Sequence, residues 1–179
     1  ILNAPRELVF KAFTDPKQLQ QWWGPRGFTA PVCKVDVRKG GGIYIDMKGP
    51  DGVIYPMDGE FVEIKEPERI VFIAAALDAQ GKRLFENTNT LTFEEDGDKT
   101  KLILHVTVGK MRGEAEQYIA GMEEGWKQSL DKLAAQVSDA DKKMILINRV
   151  FDAPRDVVFK AWSNADALKK WYAPAGCSI

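Results

Sequence analysis

The sequence predicts an α+β fold in which a meander of antiparallel strands packs against one long helix. Three observations carry this. Between Phe28 and Val108, segments rich in β-branched and aromatic residues alternate with glycine, proline and aspartate turns. From Arg112 to Val137, apolar residues recur at three- and four-residue spacing. Ahead of the strands, two short helical segments meet at Asp15-Pro16.

In chain order, Pro5 suits a first helical position because it has no N–H to leave unpaired and its φ is already helical. Arg6 to Thr14 then sets Val9, Phe10 and Phe13 on one side of a short helix. Asp15-Pro16 breaks that helix and starts another, Lys17 to Trp22, which Gly24-Pro25 ends. The strand segments are Phe28 to Val37, Ile43 to Lys48, Val53 to Ile64, Ile70 to Leu77, Asn87 to Glu95 and Thr100 to Val108. Their connections, such as Gly40-Gly-Gly42, Pro50-Asp-Gly52 and Asp96-Gly97-Asp98, are short. Such links join antiparallel neighbours, since a parallel pair needs a crossover of about a dozen residues or more. The final helix carries Tyr118, Ile119, Met122, Trp126, Leu130, Leu133 and Val137 as one apolar stripe, which should lie on one face of the sheet.

Composition narrows the function classes. The 179 residues are 45% hydrophobic and 28% charged with a net charge of -1, a soluble globular profile. A pI of about 6.0 gives no basic face for nucleic acid, so no nucleic-acid partner is expected. The longest apolar stretch, Ile70 to Leu77, falls far short of the roughly 20 residues that span a bilayer, and neither end reads as a signal peptide. A cytoplasmic location is expected. Two cysteines, Cys33 and Cys177, and one histidine, His105, indicate neither a disulfide scaffold nor a metal site, and no cofactor is implied.

An internal repeat is the most informative pattern. Ala4 to Gly27 aligns without a gap to Ala153 to Gly176, at a constant offset of 149 residues. Shared residues include Ala-Pro-Arg, Val-Phe-Lys-Ala, Leu19 with Leu168, Trp22 with Trp171 and Pro25 with Pro174. The offset is one domain long, which indicates a tandem of domains rather than a solenoid. Residues 1–138 are therefore expected to form a domain lacking most of its first strand. Residues 139–179 should comprise the linker, part of the polar run Ser138 to Lys143, and the N-terminal fragment of a second copy. Met144 to Phe151, β-rich and placed before the second Ala-Pro, should be the strand the first copy lacks. It would fill the vacant slot, in the same molecule or in a strand-exchanged dimer, or else belong to a loosely packed tail.

These residues also carry a resemblance. The pattern Ala-Pro-x-x-x-Val-Phe-x-Ala, the Trp22-Trp23-Gly-Pro turn, Gly49-Pro-Asp-Gly52, Glu66-Pro-Glu-Arg-Ile70 and Gly121-Met-x-x-Gly-Trp126-x-x-Ser-Leu-x-x-Leu133 occur in order. They resemble the bacterial branch of the family named for the activator of the ninety-kilodalton heat-shock-protein ATPase, within the START and birch-pollen-allergen-like superfamily. The resemblance implies a helix-grip fold: a curved antiparallel sheet wraps a long C-terminal helix, two short helices follow the first strand, and an apolar cavity lies between sheet and helix. The superfamily hosts lipid carriers, receptors, cyclases and chaperone partners, so fold alone does not choose a function.

Strand parity locates the candidate cavity. Leu102, Leu104, Val106 and Val108 share one face, as do Ile43, Ile45 and Met47. Ala74-Ala75-Ala76 on the most buried strand and Gly121 and Gly125 on the helix are small. They either leave a void for an apolar ligand or let the helix sit close to the sheet, and dense packing is the default. Candidate cavity residues are Ile45, Met47, Phe72, Asn89, Leu104, Tyr118, Met122 and Trp126. Asn89 shares parity with Asn87, Leu91 and Phe93; an inward face would make it a polar contact near the cavity mouth, although a strand end in water is the ordinary place for Asn. His105 falls with Lys101 and Thr107 on the outer face, Asp46 lies opposite Ile45 and Met47, and neither cysteine has an activating neighbour in sequence. No catalytic set can be assembled. The leading expectation is a non-enzymatic module that binds a small hydrophobic or aromatic ligand. The rival is a co-chaperone-like domain acting on a chaperone ATPase, and a cyclase or hydrolase needs a buried acid–base pair.

Overall fold

Six strands form one antiparallel sheet in which sequence neighbours are spatial neighbours, in the order β1-β2-β3-β4-β5-β6. They are β1 (Thr29–Val35), β2 (Gly42–Lys48), β3 (Ile54–Lys65), β4 (Arg69–Leu77), β5 (Arg83–Asp96) and β6 (Lys99–Met111). This computed structural model describes residues 1–111, 120–142 and 152–168. The chain divides into two compact units, Ile1–Met144 and Ile145–Ile179.

In the first unit, α1 (Arg6–Thr14) and α2 (Pro16–Trp22) precede the sheet, and α3 (Met122–Lys142) follows it. Pro5, expected as the first helical residue, lies one position outside the helix and caps α1 in an extended conformation, with φ -59° and ψ 151°. Asp15 caps α2: its carboxylate accepts hydrogen bonds from the backbone N–H groups of Lys17 and Gln18, while Pro16 opens the helix. Ser138 to Lys142, expected as a linker, continue α3 instead. Their polar composition suits a solvated last turn as well as it suits a loop. β5 starts at Arg83, four residues earlier than expected, because Asp78 closes the preceding turn by accepting from the N–H groups of Gln80 and Lys82.

The core forms where α1 and α2 meet the sheet. Val9, Phe10 and Phe13 are buried, and the Phe93 ring lies edge-on to Phe10 at 5.3 Å and to Phe13 at 5.5 Å. Trp22 is fully buried, and its indole N–H donates to the Ala12 carbonyl at 3.0 Å, so burial leaves no donor unmet. Leu2 forms a two-bond antiparallel bridge to Thr100, and Thr100 Oγ1 donates to the Ala4 carbonyl at 2.7 Å. The chain entering α1 is thus tied to β6. Gly41 is obligatory in the β1–β2 turn, since a Cβ there would sit 1.9 Å from the Asp36 carbonyl oxygen. The Gly40-Gly-Gly42 run is a turn that precedes a strand, with no helix opening behind it to bind phosphate.

The second unit contains α4 (Arg155–Ser163) and α5 (Ala165–Leu168) among its described residues. Pro154 caps α4 with φ -57° and ψ 146°, and Asn164 accepts from the N–H groups of Asp166 and Ala167. These are the same local devices as Pro5 and Asp15, 149 residues apart. Phe159 and Trp162 are 70% and 52% exposed, whereas the aligned Phe10 and Phe13 are 3% and 4% exposed. Met144 to Phe151 lies outside the described residues.

Candidate functional site

The inner face of the sheet is filled at one end and hollow at the other. At the filled end, Phe13 and Leu19 from the short helices meet Ile43, Ile45, Phe61 and Ile70 around a gap of only about 20 Å³. At the hollow end a cavity of about 430 Å³ lies between β4, β5 and α3. That volume is within the range of small-ligand sites. Trp23 stands between the two regions and lines both.

Small residues create the space and large ones wall it. Ala74 and Ala76 face it from β4, and Gly125 and Ser129 from α3. Of the two readings of these small residues, the structure shows the void and not close contact: a Cβ built on Gly125 meets nothing nearer than Pro25 Cγ at 3.5 Å. Trp126 meets Trp23 edge-on at 5.4 Å, Trp23 tilts against Phe72 at 6.3 Å, and Phe28 against Tyr55 at 5.8 Å. The Met47, Met57 and Met122 side chains complete a wall that is mostly apolar and, through its thioethers, adaptable.

The turn from Gly24 to Phe28 forms one rim and is pinned to α3. Lys132 Nζ donates to the carbonyls of Gly24 and Phe28 at 3.0 and 3.2 Å, and its partial burial lowers the ammonium pKa. The Arg26 N–H donates to Gln128 Oε1 at 3.1 Å, and the Arg26 guanidinium reaches Asp131 at 2.9 Å. Gly24 is required there: its φ is +90°, and a Cβ would press on Phe28 Cβ at 3.2 Å. The rim is therefore held by side-chain bonds to backbone carbonyls, which fix position more firmly than apolar contact alone.

Two amides border the cavity. Asn87 and Asn89 project from β5 on the face shared with Phe85, Leu91 and Phe93, and Asn89 is only 1% exposed. The ordinary placement of Asn at a wet strand end does not apply here. Asn89 Nδ2 donates to Asn87 Oδ1 at 2.6 Å, and Asn87 Nδ2 approaches Met122 Sδ at 3.9 Å. Asn89 Oδ1 is buried and accepts from no described residue. An acceptor left so costs about 1–3 kcal/mol.

Of the residues expected to line the cavity, Met47, Phe72, Asn89, Met122 and Trp126 do so. Ile45 does not. It is fully buried in the core at the filled end, because Trp23 and Leu19 occupy the space over it. Leu104 is also absent from the lining; it packs, half-buried, against the main core from β6, opposite Leu91. Tyr118 lies outside the described residues. Sequence reasoning missed Trp23, Phe28, Tyr55, Met57 and Asn87. For Asn87 the signal existed, since it has the parity of Asn89. The rim aromatics sit in a turn and at strand ends, where periodicity says nothing.

Outside the cavity, His105 is exposed on β6, as its parity predicts. Asp46 accepts from Tyr44, and that bond raises the Tyr44 pKa. Burial pushes the Cys33 thiol up to about 11, which keeps it in its unreactive form. Among the described residues no three His, Cys, Asp or Glu side chains are grouped to hold a metal ion, and no helix is long and apolar enough to cross a membrane.

A curved antiparallel sheet closed by a C-terminal helix over an apolar cavity defines the helix-grip class. Within it, the family model described as "Activator of Hsp90 ATPase homolog 1-like protein" matches residues 3–138, and the chain belongs to that family. A solution structure of a protein from Arthrobacter aurescens is similar at 25% identity and TM-score 0.70, covering 77% of this chain and 82% of that one. A crystal structure from Chromobacterium violaceum is 30% identical with TM-score 0.62, covering 76% and 92%. The AHSA1 protein from Silicibacter pomeroyi is 29% identical with TM-score 0.64, covering 76% and 92%. No curated protein matches the chain.

Proposed function

We propose that the first unit is a binding module that takes a small hydrophobic or aromatic ligand between α3 and the sheet. The observation that supports this is the cavity itself, about 430 Å³ lined by Trp23, Phe72 and Trp126. Native interiors are packed to crystal-like density, so an apolar space of this size is a departure from close packing that suits a small ligand. The polar groups on its described wall are amides and hydroxyls, from Asn87, Asn89, Ser129 and Tyr55. These groups orient a ligand; a cyclase or hydrolase would need an acid–base pair in their place. The test is titration with a panel of small aromatic and aliphatic compounds, followed by tryptophan fluorescence, since Trp23 and Trp126 face the space, and by thermal shift. Saturable binding with a raised Tm is expected, and a panel that produces neither would remove the reading.

A second reading follows from the family description: a domain that binds and stimulates a chaperone ATPase. An ATPase assay with the chaperone of the same organism distinguishes the two, because the cavity reading predicts no stimulation. For the part of residues 139–179 that follows α3 we infer the opening of a second copy of the same domain, on the strength of the repeat.

A further inference from the structure

We propose that the cavity is selective for an apolar, ring-bearing ligand that carries one hydrogen-bond donor, a hydroxyl or an N–H, and that Asn89 Oδ1 receives it. This inference rests on the cavity reading above and adds the chemical class of the ligand. The polarity of the amide chain is set by Met122. A thioether sulfur only accepts, so the group of Asn87 that faces Met122 Sδ at 3.9 Å is its nitrogen. Asn87 Oδ1 then faces Asn89 and takes its N–H at 2.6 Å. The chain of amides ends on Asn89 Oδ1, which is buried and accepts from no described residue, on a side chain that borders the cavity.

The surroundings say what completes it. Asn89 is flanked across the sheet by Phe72 on β4 and Val106 on β6, and Asn87 by Ala74 and Val108. An ordered water needs two to four polar partners, and these flanking side chains offer none. Ser129 has already donated its hydroxyl to the Gly125 carbonyl at 2.8 Å. A donor borne on an apolar ring fits both the wall and the open acceptor. A carboxylate does not: its lone pairs would face those of Asn89 Oδ1, and no lysine or arginine lines the cavity among the described residues.

The test compares 2-naphthol with 2-methoxynaphthalene, which have the same ring and oxygen but differ in the donor, by isothermal titration of the full chain. The expected result is about tenfold tighter binding of 2-naphthol, the ordinary worth of one buried hydrogen bond. In Asn89→Leu the preference should fall below about twofold while 2-methoxynaphthalene still binds. Asn87→Leu should weaken the preference too, because Asn89 is then free to turn its nitrogen to the ligand. Equal binding of the two naphthalenes by the unmodified chain overturns this inference and leaves the cavity reading standing. No saturable binding of either overturns both. The comparison on the unmodified chain does not depend on any variant folding.

Discussion

Gly125→Ala decides between the two meanings of the small residues on α3. Gly125 lies in the helix, its N–H bonded to the Gly121 carbonyl at 2.9 Å and its own carbonyl accepting from Ser129. Glycine in a helix interior costs about 0.8–1.0 kcal/mol relative to alanine, because it loses more backbone freedom on folding. An added methyl meets only Pro25 Cγ, at 3.5 Å, an ordinary van der Waals distance. The substitution should therefore stabilise by about 1 kcal/mol, a rise in Tm of roughly 2–4 °C for a chain of this size. If glycine were there to let the helix lie on the sheet, the methyl would overpack and cost about 1–3 kcal/mol. Gly59→Ala is the contrasting case. A Cβ on Gly59 would sit 2.2 Å from the Ile73 carbonyl oxygen, so this variant should lose at least that much. Thermal denaturation of both, checked by urea melts, reads the signs directly. A fall in Tm for Gly125→Ala would refute the claim that this wall borders a void.

Three further outcomes follow from the packing. Thr100→Val keeps the shape but removes the hydroxyl that donates to the Ala4 carbonyl, and because Thr100 is fully buried the loss should be about 1–2 kcal/mol in urea unfolding. Glu95→Gln breaks the ion pair with Arg6, but Glu95 is 61% exposed, so stability should change by less than about 0.5 kcal/mol. In a Cys177→Ser background, Cys33 should react with iodoacetamide at pH 8 about a hundredfold more slowly than a free thiol of pKa about 8.5, and its rate should climb about tenfold per pH unit up to pH 10. A rate that levels off below pH 9 would show a thiol without the raised pKa.

The meander could be read from the sequence because each connection announces itself. Gly52 and Gly97 both have positive φ in the turns where punctuation by glycine placed them. The helices could be read for a similar reason, since Asp15-Pro16 is both a stop and a cap. The site was harder. Parity assigns a side chain to a face of the sheet, and on that criterion Ile45 and Met47 are equivalent; only Met47 reaches the cavity, because α2 and Trp23 cover the sheet above Ile45. How far a helix extends over a sheet is tertiary information that a strand's own pattern does not hold. The same limit explains Leu104, which has the inward parity but lies on a strand away from the hollow. Ser138 to Lys142 fail in another way: their polar residues are compatible with linker and with helix end, and the preceding turns of α3 decide in favour of helix.

Side-chain size along the elements does carry the missing information, once two elements are read together. The inward positions of β4 run Ile70, Phe72, Ala74, Ala76, from large to small. On α3 one row four residues apart, read backwards from the helix end, runs Val137, Leu133, Ser129, Gly125, with the larger Trp126 and Met122 beside it on the cavity wall. Val137 and Leu133 belong to the same core cluster as Ile70 and Phe72, while Ser129 and Gly125 line the same cavity as Ala74 and Ala76. Two surfaces that taper in the same direction cannot stay in contact along their length. Either the helix tilts down onto the small residues, which would lift Leu133 off the core and lose about 1.5–3 kcal/mol of burial, or it stays and leaves a gap. The bonds from Lys132 and Arg26 between α3 and the Gly24–Phe28 turn hold the helix up, so the gap is the outcome. The hollow is therefore a consequence of matched tapers on facing elements. Enlarging either one, by Ala76→Leu or Ser129→Leu, should narrow the cavity of about 430 Å³ from its own side and weaken the binding of 2-naphthol.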